Sequence, residues 1–158
     1  MVMAADMFLK IDGIEGESLD AKHKGEIEIE SFSWGASSPG TAAPGGGATG
    51  RVAMEDFSFT TPVTRAFPKL FLALVEHRRI KTALLTVRRS GGQQQDFLKV
   101  TMSDVEISDW KQASGAERPT DQVWMNFGKV QIAYTGQRPD GTPGDTVTAG
   151  WDSKNTKI

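Results

Sequence analysis

Pro62-Val63-Thr64-Arg65-Ala66-Phe67-Pro68-Lys69-Leu70-Phe71-Leu72-Ala73-Leu74-Val75-Glu76-His77-Arg78-Arg79 is the one helical stretch in a chain that otherwise reads as strands, and it fixes the class as mainly β with a single helix. Phe67, Leu70, Phe71 and Leu74 recur at i, i+3, i+4 and i+7, which predicts one apolar face turned toward a sheet. Pro68 lacks an N–H and suits only a first turn, so the helix should begin near Thr64 with that hydroxyl as cap. His77, Arg78 and Arg79 follow at the end where cations suit the helix dipole. Each large side chain on the buried face would contribute roughly 1.5–3 kcal/mol. Loss of Phe71 to alanine should then cost roughly 3–5 kcal/mol.

Outward from the helix, the strands share a peculiarity. In residues 26–34, Ile27 and Ile29 alternate with Glu26, Glu28 and Glu30, but the apolar residues that follow, Phe32 and Trp34, fall on the other phase. The slip recurs from Val52 and Met54 to Phe57 and Phe59, from Val100 and Met102 to Val105 and Ile107, and from Val123, Met125 and Phe127 to Val130, Ile132 and Tyr134. Strand side chains alternate with a period of two, so each slip calls for a bulge, a sharp bend, or burial of both faces in different places. Gly128 is a natural bulge residue. Long bent strands close sheets into barrels, and doubly buried faces imply a neighbouring subunit. The expectation is a single-domain β-barrel (residues 1–158) of long bent antiparallel strands, flanked by one α-helix and assembled into an oligomer.

Between the second and third strands, residues 35–50 are too rich in Gly and Pro for regular structure and too long for a hairpin turn. Residues 112–120 read as a polar loop, and residues 146–151 as a last strand. The chain of 158 residues suits one domain and carries no cysteine, which excludes disulfides and thiolate metal sites. Its net charge of −2 argues against a surface built throughout for phosphates. Residues 1–6 lack a basic, apolar leader, and no stretch reaches about 18 apolar residues, so a soluble cytosolic product without membrane insertion is expected.

No catalytic constellation emerges. Gly45, Gly47 and Gly50 satisfy G-x-G-x-x-G, but Arg51 opens a strand where a nucleotide site needs a helix. His23 and His77 have no partners at ligand or triad spacing, and the acids at 26, 28, 30, 104 and 106 line up as a solvated strand face. The rival reading is an oligonucleotide-binding barrel that presents Trp34, Phe57 and Phe59, with Arg78, Arg79, Lys81, Arg88 and Arg89 supplying positive charge. Glu26, Glu28, Glu30, Glu55 and Asp56 would repel a phosphate backbone on that platform, which favours an aromatic core and no nucleic acid.

The stretch Met7-Phe8-Leu9-Lys10-Ile11-Asp12-Gly13-Ile14-Glu15-Gly16-Glu17-Ser18, followed by Lys22-His23-Lys24-Gly25-Glu26-Ile27 and Ser33-Trp34-Gly35, resembles the opening of the Hcp family, the tube protein of bacterial type VI secretion. Pro68-Lys69-Leu70, Leu85-Thr86-Val87-Arg88, the Gly91-Gly92 turn with residues 93–97, residues 123–129, and Ala149-Gly150-Trp151-Asp152 extend the likeness through the chain; residues 36–49 depart from it. The resemblance implies a barrel protomer, six to a ring, with rings stacked into a hollow tube. A contractile sheath would drive that tube, tipped by a VgrG-type spike, from the bacterial cytoplasm without a signal peptide, with small effector proteins carried in the lumen. It implies no enzyme activity, cofactor or metal, and with the sequence ending at Ile158 no C-terminal toxin domain of the kind some family members have is expected. With Phe32 and Trp34 turned to the core, Ser31 and Ser33 point away from it; small polar groups suit a lumen wall, and equally an ordinary outer surface. Gly45, Gly46 and Gly47 are candidates for contact with the next ring or a neighbouring protomer, or belong to a mobile insertion.

Overall fold

The computed structural model describes residues 5–38, 52–89, 94–115 and 117–154. In chain order the elements are β1 (Asp6–Ile11), β2 (Ile27–Glu28), β3 (Ser31–Ser33), β4 (Ala36–Ser37), β5 (Ala53–Met54), β6 (Phe57–Pro62), α1 (Phe67–Val75), β7 (Ile80–Arg88), β8 (Asp96–Ser114), β9 (Pro119–Gln137) and β10 (Pro143–Asp152). One antiparallel sheet runs β2-β1-β7-β8-β9-β6-β3, with β10 added to the far part of β9; β4 and β5 form a separate pair.

The two ends of that path belong to one bent segment. Ile29 N–H donates to the Met7 carbonyl on β1, and the next residue, Glu30, donates to Thr60 on β6. Residues 27–33 thus join both edges of the curled sheet, although the ladder itself is not continuous across them. Here the phase slip marks a change of partner strand. The second slip is of the same kind, because Glu55 and Asp56 separate β5, paired with β4, from β6, paired with β3 and β9.

The slips in β8 and β9 share one rung. Register is unbroken from Leu98↔Tyr134 to Ile107↔Met125, so no residue is inserted at Gly128, contrary to the bulge expected there. Asp104, facing Gly128, instead takes φ 54°, a left-handed conformation that L-residues seldom adopt in a strand. The twist returns Val105 and Ile107 to the core that already holds Val100 and Met102. These strands therefore bury their two phases in one core, and the slip by itself requires no second subunit. A true register shift lies further on, between Ile107 and Asp109.

Helix α1 starts later than expected, at Phe67 with Ala66 as N-cap; the Thr64 hydroxyl accepts from the Ala66 N–H but does not cap the helix. It ends where His77 N–H donates to Leu74 and Arg78 N–H to Ala73, with His77 at φ 50° taking the left-handed place usually given to glycine. The buried face is Ala66, Leu70 and Ala73, with Phe67 and Leu74 half-buried, while Phe71 is 41% exposed. The expectation that Phe71 lies in the core is therefore corrected. Its ring packs edge-on against Trp110 of β8, which also stacks on Phe67.

Residues 112–120 are also corrected. Their polarity suggested a loop, but the β8–β9 ladder continues to Ser114↔Pro119. That hairpin end stands clear of the core with water on both faces, so it has no apolar alternation to read.

Candidate assembly surfaces

Two surfaces and one buried cluster follow from this arrangement. The first carries Ser31 and Ser33. Phe32 between them turns inward to stack on Phe57, with ring centroids 5.8 Å apart, and both serines are exposed, as alternation predicts. Register places Ser31 beside Thr60 and Ser33 beside Ser58, then Ser58 beside Trp124 and Thr60 beside Gln122. The Ser31 and Thr60 hydroxyls lie 2.6 Å apart, and Gln122 donates to Ser58 at 3.4 Å. The serines belong to a broader, mostly polar face whose other members are Ser58, Thr60, Gln122 and the half-buried Trp124, legible only through the alternation with Phe57 and Phe59. Gly45, Gly46 and Gly47 lie outside the described residues.

The second is apolar. Beyond the core, the β8-β9-β10 sheet runs on with one face uncovered: Tyr134 is 49% and Val147 69% exposed. Beside it a groove of about 170 Å³ lies between Trp34, Met54, Val130, Ile132, Ala149 and Trp151. The outer edge of β10 pairs with no strand among the described residues. An open edge next to bare apolar surface is what soluble proteins normally blunt or cover.

The third feature fixes the N-terminal loop. Arg88 is buried on β7 and donates to both Asp20 oxygens, at 3.0 and 2.7 Å, and to Asp6 at 3.1 Å. Its guanidinium lies 5.0 Å from the centre of the Phe8 ring, on which His23 stacks at 4.3 Å. His23 Nδ1 is 3.1 Å from Glu26 and Nε2 3.5 Å from Asp96. The Arg88 hydrogen bonds, helped by the Lys22 N–H, hold the Asp20 carboxyl well below the usual carboxylate range; Asp20 in turn raises the guanidinium further.

This cluster removes Arg88 from any phosphate-facing surface, and Arg89 is laid over Phe97 at 4.3 Å. Phe57 and Phe59 are fully buried and Trp34 packs edge-on to Phe127, so the aromatic platform of an oligonucleotide-binding barrel is not presented. Among the described residues no three His, Asp or Glu converge as metal ligands, and no helix is long and apolar enough to cross a membrane.

A curled antiparallel sheet with one flanking helix, a polar face and an uncovered apolar sheet extension defines a mainly β, single-helix protein. Comparison with known proteins gives the family. A family model described as "Type VI secretion system effector, Hcp" matches residues 8–134. Protein hcp1 of Pseudomonas aeruginosa is 37% identical over 155 residues, covering 95% of this chain and 96% of that protein. The crystal structure of Hcp1 from Salmonella typhimurium superposes with a TM-score of 0.81 at 32% identity, covering 98% of this chain and 99% of the other. A second solved structure, of a type six secretion system protein, reaches 0.91 at 28% identity with the same coverage. The chain belongs to the Hcp family of type VI secretion, as its sequence resemblance implied.

Proposed function

We propose that this chain is the structural subunit of a type VI secretion inner tube, six protomers closing into a ring and rings stacking into a hollow tube. The observation that carries the reading, beyond family membership, is the bare apolar extension of β8-β9-β10 with its open edge. A heterologous contact that recurs around a closed ring would cover such a surface in every subunit. The face of Ser31 and Ser33, with Ser58 and Thr60, suits the lumen wall: its short hydroxyl side chains, beside one half-buried Trp124, let varied small effectors pass. Gly45, Gly46 and Gly47 are proposed to meet the next ring or a neighbouring protomer.

On this reading a contractile sheath surrounds the tube, a VgrG-type spike caps it, and the protein leaves the bacterial cytoplasm with the tube, without catalysing a reaction. Negative-stain microscopy of the purified chain should show six-fold rings, and light scattering a hexamer. A clean monomer across micromolar concentrations would overturn it.

A further inference from the structure

His23 is buried, 7% exposed, with a carboxylate standing at each of its ring nitrogens. Nδ1 lies 3.1 Å from Glu26 Oε1, within hydrogen-bond range, whereas Nε2 lies 3.5 Å from Asp96 Oδ1. That second pair makes no hydrogen bond, and both of its atoms are shut off from water with no other partner among the described residues. An ionised carboxylate only accepts, and a neutral imidazole has a single N–H. With Nδ1–H given to Glu26, the neutral ring therefore turns a lone pair on Asp96. Only the doubly protonated ring donates to both carboxylates, and it converts the buried mismatch into a charge-assisted hydrogen bond.

The surroundings suit that positive charge. Around the ring stand Asp20 and Glu26 from its own loop, Asp6 from β1, Arg88 from β7, and Asp96, the first residue of β8. The lysines of the same elements, Lys10, Lys22, Lys24 and Lys99, are exposed and form no ion pair among the described residues. Arg88 is engaged by both Asp6 and Asp20. Glu26 and Asp96 are thus left with no cation but the imidazolium of His23. Backbone bonds from Gly16 to Gly25, from Ser18 to Glu26 and from Gly25 to Ser18 fold this loop on itself. Two side-chain contacts tie it to the sheet strands β7 and β8: Asp20 with Arg88, and His23 with Asp96.

We infer that His23 is a proton-operated latch: a proton taken from solvent at Nε2 closes the N-terminal loop onto Asp96, and its loss releases that side of the loop. Histidine changes charge between about pH 5 and 8. The contact belongs to the cationic ring, so it is complete on the acid side of that range and disappears as pH rises through it. Asp20, its carboxyl held low by the Arg88 hydrogen bonds, stays ionised throughout and adds no pH dependence of its own there. The latch lies within one protomer and stands whether or not rings form.

Amide hydrogen exchange of the full-length protein tests this. The protection of Gly16, Ser18 and Gly25 is expressed relative to an unstructured chain at the same pH, so that the base catalysis of exchange cancels. From about pH 5.5 to about pH 8.5 that protection should fall roughly fivefold or more in wild type. It should hardly change in His23→Gln, while His77→Gln, at the chain's other and exposed histidine, keeps the wild-type response. Asp96→Asn, the second variant should His23→Gln misfold, should lose most of the response as well. Ring nitrogen chemical shifts should show the neutral His23 carrying its proton on Nδ1. Protection that does not change with pH, a response that persists in His23→Gln or Asp96→Asn or vanishes in His77→Gln, or a neutral ring protonated on Nε2 would each overturn the latch.

Discussion

Asp104 and Gly128 face each other across the β8–β9 ladder, and the Asp104 Cβ restricts what can stand at Gly128. Asp104 holds φ 54°, and a Cβ placed on Gly128 would sit 3.2 Å from the Asp104 Cβ, tighter than ordinary packing. Gly128→Ala should therefore cost about 1–2 kcal/mol by urea unfolding. In an Asp104→Gly background, where the facing Cβ is gone, the same substitution should cost clearly less, and a double-mutant cycle reads the difference. Additive losses would show that the rung is not what constrains Gly128.

Leu70 and Phe71 separate the two faces of α1. Leu70→Ala empties a fully buried site and should cost about 2–5 kcal/mol, whereas Phe71→Ala removes a ring already partly in water and should cost about 1–2 kcal/mol. Equilibrium denaturation of the two variants gives the order directly, and Phe71 as the costlier loss would restore it to the core.

Arg88 ties β1, β7 and the N-terminal loop together. Arg88→Ala should cost about 1–3 kcal/mol, since it removes a buried guanidinium and its hydrogen bonds to Asp6 and Asp20, both of which keep access to water. Protonating Asp20 is harder in the folded protein than in the unfolded chain, because the Arg88 hydrogen bonds hold its carboxyl low. The stabilisation it provides is therefore complete above the ordinary aspartate range, near pH 4, and is lost as pH falls below it. Thermal melts of wild type and Asp20→Asn should differ by a constant amount from pH 6 to 8 and converge in acid; a gap that widens in acid would refute the pairing.

Ser33 is exposed and its side chain has no partner among the described residues, so Ser33→Trp should leave protomer stability within about 0.5 kcal/mol. If the polar face lines the lumen, the variant still forms rings but retains less effector in pull-downs. Unchanged retention would place this face elsewhere.

Much of this was legible in the sequence. The strands announced themselves by alternation, and the slips correctly marked places where the backbone departs from a regular ladder. Their causes were not visible: a change of partner at Ile29 and Glu30 and a left-handed aspartate at Asp104 leave the same trace as a bulge. The helix was found but turned wrongly, because Ala66 and Ala73, which let it approach the sheet, carry little weight in a pattern weighted toward large residues. The Arg88 cluster joins residues 68 and 82 positions apart, for which no local pattern exists. The apolar groove likewise draws on Trp34, Met54, Ile132 and Trp151, brought together by the fold alone.

The position of β9 in the sheet bears on when the molecule can form at all. It pairs with β8, β6 and β10 and is the last strand but one to be synthesised, while β1 must wait for β7. Pairings this distant along the chain make for slow closure. On the ribosome, β2, β1, β7 and β8 have partners early, but β6 and β3 join the main sheet only once residues beyond 119 emerge. Closure of the curled sheet is thereby deferred until β9 has been made.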